Sequence, residues 1–278
     1  MRLATLRRAG GTAAVRIVGD AAIDIDGARD VGMLLEDPGW RERAAVDDGR
    51  RTALGEIQDT DWAPVIPRPG KIICVGLNYR NHILEMGRPL PEHPTLFAKY
   101  PEALIGPYDT LTLPRGAAEA VDWEAELAVI VGARARRLDE QEAAEAIAGY
   151  SIINDVTMRD FQYRTPEWFQ GKTFEATAPF GPVMVTADEF DPAASIGCEV
   201  DGESVQAGSV DDLVFSPAAI VSYVSQILTL QPGDVIASGT PGGVGHARKP
   251  PRYLRPGSVM TTSIAGIGRL RTPVVAEA

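Results

Sequence analysis

Apolar and polar residues alternate near the start of the chain, in Ala14-Val-Arg-Ile-Val18 and in Ala22-Ile-Asp-Ile-Asp26. A period of two predicts half-buried paired strands, with Gly19-Asp20 between them and Asp26-Gly27 after them as turns. A short helix is predicted over Val31 to Leu35, ending before Pro38-Gly39. The stretch Trp62-Ala-Pro-Val-Ile-Pro-Arg-Pro-Gly70 reads as a stiff connector. These signals predict a small α+β N-terminal domain over residues 1–65 and a main domain over residues 66–278.

The main domain opens on a buried strand, Lys71-Ile-Ile-Cys-Val-Gly76, followed by a short helix from Asn78 to Met86, stopped by Gly87 and Pro89. Helical spacing returns after Asp139 (Ala143, Ala144, Ile147), and a strand then leads to Asp155. Residues 158–170 are polar and aromatic, a helix or ordered loop over a cleft. Gly181 to Thr186 and Ser195 to Val200 read as strands, and Asp201-Gly202 as a two-residue hairpin turn. Ser216-Pro217 starts a helix running to about Leu228, and Gln231-Pro-Gly-Asp234 introduces the last β segments. Strands outnumber helices, so the predicted class is α+β and β-rich.

One strand carries chemistry. Glu124-Ala125-Glu126 is followed by Leu-Ala-Val-Ile-Val-Gly, which places two carboxylates one pleat apart on the same strand face, roughly 6–7 Å apart at the backbone. Alone, such a pair is most often a solvated sheet face. Buried together, two anions repel and lose hydration unless a cation neutralises them. Asp155 adds a third carboxylate after the run Tyr-Ser-Ile-Ile-Asn. Oxygen ligands without cysteine or clustered histidine suit Mg2+ or Mn2+ better than zinc.

Other candidates surround this trio. His82 and Glu85 lie three apart, so on a helix they share a face, and a carboxylate-oriented imidazole is a competent general base. Lys99, Lys172 and Arg159 are cations able to meet a carboxylate or developing oxyanion. Ser238-Gly-Thr-Pro-Gly-Gly-Val-Gly245 follows a predicted strand and can bring backbone N–H groups close to an anion. Its glycine order is not a dinucleotide fingerprint, and it lacks the lysine of a P-loop. No G-x-S-x-G or H-E-x-x-H occurs. Cys74 reads as a small core hydrophobe.

Composition narrows the classes. With 278 residues and 45% hydrophobic ones, the chain can bury a large core, and 28 Gly with 21 Pro agree with many turns. A net charge of −11 argues against a nucleic-acid or anionic-membrane surface, while leaving room for a small anionic substrate held by local cations. Two cysteines in apolar settings make no disulfide framework, and no apolar run reaches membrane-span length, so a reducing, cytoplasmic setting without a secretory signal is expected.

Five ordered motifs together resemble the fumarylacetoacetate hydrolase family. They are Val75-Gly-Leu-Asn-Tyr-Arg-Asn-His-Ile-Leu-Glu85, Asp122-Trp-Glu-Ala-Glu-Leu-Ala-Val, Asn154-Asp-Val-Thr-Met-Arg-Asp160, Gly171-Lys-Thr-Phe, and Pro232-Gly-Asp-Val-Ile-Ala-Ser-Gly-Thr-Pro-Gly-Gly-Val-Gly245. The resemblance covers the chain from about Lys71 onward and implies a mixed β-roll catalytic domain, a homodimer, and one divalent metal, Mg2+ or Mn2+, per chain. It implies Glu124, Glu126 and Asp155 as metal ligands, and His82, Glu85 and Lys172 as catalytic residues. Arg159, Gln162, Lys99 and Thr240 are implied at the substrate, although Tyr100-Pro-Glu102 departs from the small hydroxyl-bearing residues expected after Lys99. The implied activity is hydrolysis of a carbon–carbon bond in an acylpyruvate such as fumarylpyruvate. The alternatives are oxaloacetate decarboxylation or isomerisation of a hydroxylated diene-dioate, and, in another class, a non-catalytic binding protein on the same scaffold.

Overall fold

The computed structural model describes residues 1–85, 87 and 89–277, with His82 and Glu85 described by their backbone alone. At its centre lies the strand Ala125–Val131, every residue of it buried. Leu127, Val129 and Val131 belong to one apolar cluster, while Ala128 and Ile130 belong to another. Both pleat faces are therefore covered, which is why this strand reads as a continuous apolar run and not as an alternation.

The central strand pairs antiparallel with Ile147–Asn154 on one side and Val235–Ala237 on the other. The sheet continues one way through Ala178–Thr186, Arg2–Arg8, Gly11–Val18, Ala21–Asp24 and Arg51–Ala53, and the other way through Ile72–Gly76 and Thr95–Lys99. Val235–Ala237 runs parallel to Ile72–Gly76, so the sheet is mixed. The first helix, Val31–Leu35, and a second, Trp40–Ala45, cover one face, with Val31, Leu34, Leu35 and Trp40 packed in the cluster of Ala128, Ile130 and Met184. A five-stranded sheet, ordered Glu203–Ser209, Ser195–Val200, Val259–Ile264, Gly268–Ala276 and Leu111–Leu113, supplies the other cluster with Ile196, Met260 and Leu270.

Local signals account for most elements. Asp30 caps Val31–Leu35 by accepting from the Met33 amide, and Ser216 caps Pro217–Ile227 by accepting from Ala219. Asp139 and Glu142 form a capping box at Glu140–Glu145. Asp201 and Gly202 both have positive φ (57° and 80°), as the tight hairpin between Ser195–Val200 and Glu203–Ser209 requires. Two elements differ from expectation. A helix follows Pro38-Gly39 directly, and the strand Arg2–Arg8, absent from the pattern reading, joins the N-terminal strands to the main sheet at Arg2↔Val185 and Leu3↔Met184. The chain is thus β-rich α+β, with the described helices short. No described helix is long and apolar enough to cross a membrane.

Candidate active site

Glu126 is the second residue of the central strand and shares its face with Ala128 and Ile130. Glu124 stands one residue before the strand, yet the ladder continues past it: the Asp155 N–H donates to the Glu124 carbonyl at 2.8 Å. Asp155 therefore follows Ile147–Asn154 directly opposite Glu124. The Glu124 amide donates to Asn154 Oδ1 (2.9 Å), and Asn154 Nδ2 donates to Thr262 Oγ1 of the second sheet (2.9 Å), which fixes this corner. One carboxylate oxygen from each of Glu124, Glu126 and Asp155 lies within 4.8 Å of the others, and all three residues are buried.

Three cations are committed to these anions. Lys172 Nζ lies 2.6 Å from Glu124 Oε2 and 2.8 Å from Asp155 Oδ2. Lys99 Nζ lies 2.9 Å from Asp155 Oδ1 and also donates to the Lys172 carbonyl. Arg159 bridges Glu124 Oε1 and Asp122 Oδ2, both at 2.8 Å, and its Nη1 donates to Gln162 Oε1. Lys99, implied at the substrate, has its ammonium group on Asp155. Lys99 ends the strand paired with Ile72–Gly76, and its buried side chain reaches Asp155.

The electrostatics separate the carboxylates. Burial raises the pKa of Glu126 well above its usual 4.5, and the neighbouring Asp155 and Glu124 push it further; Lys172 and the Gly239 amide oppose this weakly. Burial acts the same way on Asp155, but Lys172 and Lys99 outweigh it and hold Asp155 below 3.8. Burial also opposes the charge of Lys172, and Asp155 with Glu124 overcomes it, so the lysine stays an ammonium group. Glu126 Oε2 accepts from the Gly239 N–H at 2.9 Å, and no cation is paired with it among the described residues. A buried carboxylate with spare acceptor capacity, beside two more oxygen donors, fits a hard divalent cation.

The glycine-rich loop serves these acids directly. Gly239, at φ +99°, aims its N–H at Glu126, and a Cβ there would stand 2.9 Å from Asn78 Cβ and 3.0 Å from the Val75 carbonyl. Gly245 and His246 donate their N–H groups to Asp122 at 2.7 and 2.9 Å. The loop thus spends these amides on protein carboxylates, where the sequence suggested an anionic ligand. Gln206 Nε2 donates to Thr240 Oγ1 at 2.8 Å, so the Thr240 hydroxyl keeps its own proton to donate.

A cavity of about 370 Å³ opens over this floor, lined by Glu124, Glu126, Arg159, Gln162, Lys172 and Thr240. Phe97, Trp168, Tyr163 and His246, which sequence reasoning did not single out, also line it. Asp122 was quoted only as part of a motif, although it anchors Arg159 and two loop amides. No local pattern marks it, because all these partners lie 37 or more residues away. Trp168 packs edge-on to Phe97, with ring centroids 5.5 Å apart, and lies so close over Gly76 that a Cβ there would stand 2.3 Å from the indole. The helix Arg80–Glu85 follows the wall residues Gly76 and Leu77, and the side chains of His82 and Glu85 lie outside the described residues.

Two tests follow. Because the folded state raises the Glu126 pKa, that group stabilises metal-free protein fully below about 4.5 and progressively less as pH rises through its folded value. The melting temperature of metal-free protein is expected to fall over that rise and the fall to vanish in Glu126→Gln; a fall of the same size in the variant refutes the assignment. Asp155 acts oppositely, its contribution disappearing only below 3.8. Second, a Cβ at Gly171 would lie 2.6 Å from the Gln162 nitrogen and the Met158 carbonyl, both backbone atoms. Gly171→Ala should cost about 1–3 kcal/mol by overpacking, measured by denaturant unfolding, and displace the adjacent Lys172.

Comparisons place this architecture. A family model described as fumarylacetoacetate (FAA) hydrolase C-terminal matches residues 71–275. The chain is 42% identical over 226 residues to human mitochondrial oxaloacetate tautomerase FAHD2A, covering 80% of this chain and 71% of that protein. A fumarylacetoacetate hydrolase structure from Exiguobacterium antarcticum matches with a TM-score of 0.90 at 36% identity, both chains covered in full. A maleylpyruvate hydrolase structure from Sphingobium sp. SYK-6, in complex with manganese(II) and pyruvate, matches with a TM-score of 0.82 at 28% identity, again over the whole of both chains. With its motifs, its mixed sheets and its acidic floor, the chain belongs to the fumarylacetoacetate hydrolase family.

Proposed function

We propose that this protein cleaves the carbon–carbon bond of acylpyruvates, releasing pyruvate and a carboxylic acid. In this reading a divalent cation, Mg2+ or Mn2+, is held by Glu124, Glu126 and Asp155. The observation that carries the reading is the crowded carboxylate floor beneath a cavity of about 370 Å³. A 2-oxo acid offers two adjacent oxygens to a hard cation, and the space between floor and rim accommodates an acyl tail. When bound, the cation supplies Lewis-acid polarisation of the substrate's head and stabilises negative charge that develops there.

The chain's own groups do the rest. Lys172 is locked as an ammonium by Glu124 and Asp155, so it cannot take a proton and serves to stabilise charge. Gln162 has its carbonyl occupied by Arg159, which leaves its amide N–H groups for a substrate oxygen. Thr240, accepting from Gln206, donates its hydroxyl into the cavity it lines. His82, oriented by Glu85, takes a proton from water. The water oxygen joins the distal acyl carbon, the bond from that carbon to C3 of the pyruvate unit breaks, and its electron pair passes to C3. The proton held by His82 passes to C3 of the resulting enolate, which leaves as pyruvate, and His82 returns to its neutral form. The likeness to a maleylpyruvate hydrolase in complex with manganese(II) and pyruvate supports this assignment.

A second reading is keto–enol tautomerisation of oxaloacetate, favoured by the identity to the human tautomerase. It needs a proton moved between C3 and the enol oxygen and no attack by water. Oxaloacetate decarboxylation and isomerisation of a diene-dioate share the same charge-stabilising floor.

Product analysis with Mg2+-loaded protein separates these readings. Acylpyruvates should yield pyruvate plus the matching acid, with His82→Ala slowing that cleavage by about 10²–10⁴-fold, the usual worth of a general base. Deuterium exchange at C3 of pyruvate should survive in the same variant. Unchanged cleavage in His82→Ala removes that residue from the mechanism. Inert acylpyruvates with rapid consumption of enol-oxaloacetate would transfer the assignment to the second reading.

A further inference from the structure

The cations at the floor are used up by the protein's own acids: Lys172 on Glu124 and Asp155, Lys99 on Asp155, Arg159 on Asp122 and Glu124. Among the cavity's other lining groups is His246, whose imidazole carries a hydrogen-bond donor. The His246 backbone is tied to Asp122 through its N–H, the same carboxylate that anchors Arg159. Its ring lies 5.0 Å from that of Tyr163 on one side and 6.5 Å from that of Tyr253 on another, tilted about 35° and 32°. Nδ1 stands 3.0 Å from the Tyr253 hydroxyl.

The tautomer follows from the neighbours. Burial, and then the Arg159 charge, lower the His246 pKa below 6.5, so the ring is neutral at neutral pH. Burial and Asp122 raise the Tyr253 pKa, which keeps its hydroxyl protonated and able to donate to Nδ1. With that hydroxyl donating to Nδ1, the ring proton sits on Nε2. His246 lines the cavity, whereas Tyr253 does not. A ring engaged at Nδ1 and lining the cavity has its Nε2–H to offer an acceptor there.

We propose that His246 is a specificity-determining residue whose Nε2–H receives a carboxylate at the far end of the substrate tail, so that the protein selects 2-oxo acids bearing a second carboxylate. This rests on the reading of the floor as a 2-oxo acid site and names the class of tail that site accepts. The contact lies at a solvent-exposed rim, so its worth is that of one hydrogen bond to a charged group, about tenfold in affinity.

The test uses the full chain loaded with Mg2+, with 2-oxoadipate, its monoacid counterpart 2-oxohexanoate, and oxalate as a mimic of the head alone. Calorimetry should show the diacid binding about tenfold more tightly than the monoacid. His246→Phe should remove that preference without changing oxalate affinity, and His246→Gln, which keeps an N–H donor, should restore part of it. In 15N-histidine-labelled protein, assigned with the Phe variant, the Nε2 resonance of His246 should move with the diacid and stay still with oxalate. Equal affinity for the two acids, or a motionless Nε2 signal with the diacid bound, overturns the proposal while oxalate binding leaves the 2-oxo acid site standing. Failure of oxalate itself to bind overturns both.

Discussion

Four carboxylates, Asp122, Glu124, Glu126 and Asp155, are buried around three cations, and the rest of the site depends on how that imbalance is managed. Removing charges from water costs several kcal/mol per ion, and pairing repays it only where the geometry is good. Glu124, Asp155 and Asp122 have such pairing. Glu126 has a single backbone N–H and the repulsion of two neighbours, so in metal-free protein it is the group pushed to keep a proton. Of the carboxylates at the floor, the one pushed to keep its proton is the one with most to gain from a cation.

The fold is what makes the crowding possible. A strand covered on both faces holds Glu126 at its start, and the ladder contact from Asp155 to Glu124 sets the opposing acid in register. The short helices Arg159–Gln162 and Phe169–Lys172 then lower Arg159 and Lys172 onto the floor, their close approach depending on Gly171. The glycine-rich loop contributes amides to Glu126 and Asp122 and a threonine hydroxyl to the cavity. The one cavity is thus lined both by charged groups and by aromatic side chains, with His246 among them.

Much of this was legible in the chain itself. The strand period alone places Glu124 and Glu126 on one face, and caps at Asp30, Asp139 and Ser216 mark helix starts because each acts within three residues. What escaped depends on distant partners. The strand Arg2–Arg8 is masked by its arginines, whose charges are taken up by Gly266 and Ile267 carbonyls, Asp109 and Asp24. The contact of Lys99 with Asp155 is set by strand pairing, which the sequence does not display. The anchoring role of Asp122 likewise arises only when the loop Ser238 to Gly245 folds back over the central strand.

The central claim is that Glu124, Glu126 and Asp155 together hold one hard divalent cation. Electron paramagnetic resonance titration of Mn2+ into metal-free protein addresses it most directly, since free and bound ion are counted separately. One bound Mn2+ per chain, displaced by Mg2+ and lost in Glu126→Gln and in Asp155→Asn while both variants remain folded by circular dichroism, is the predicted result. A folded wild-type chain that leaves all Mn2+ free, or binding undiminished in both variants, would contradict it.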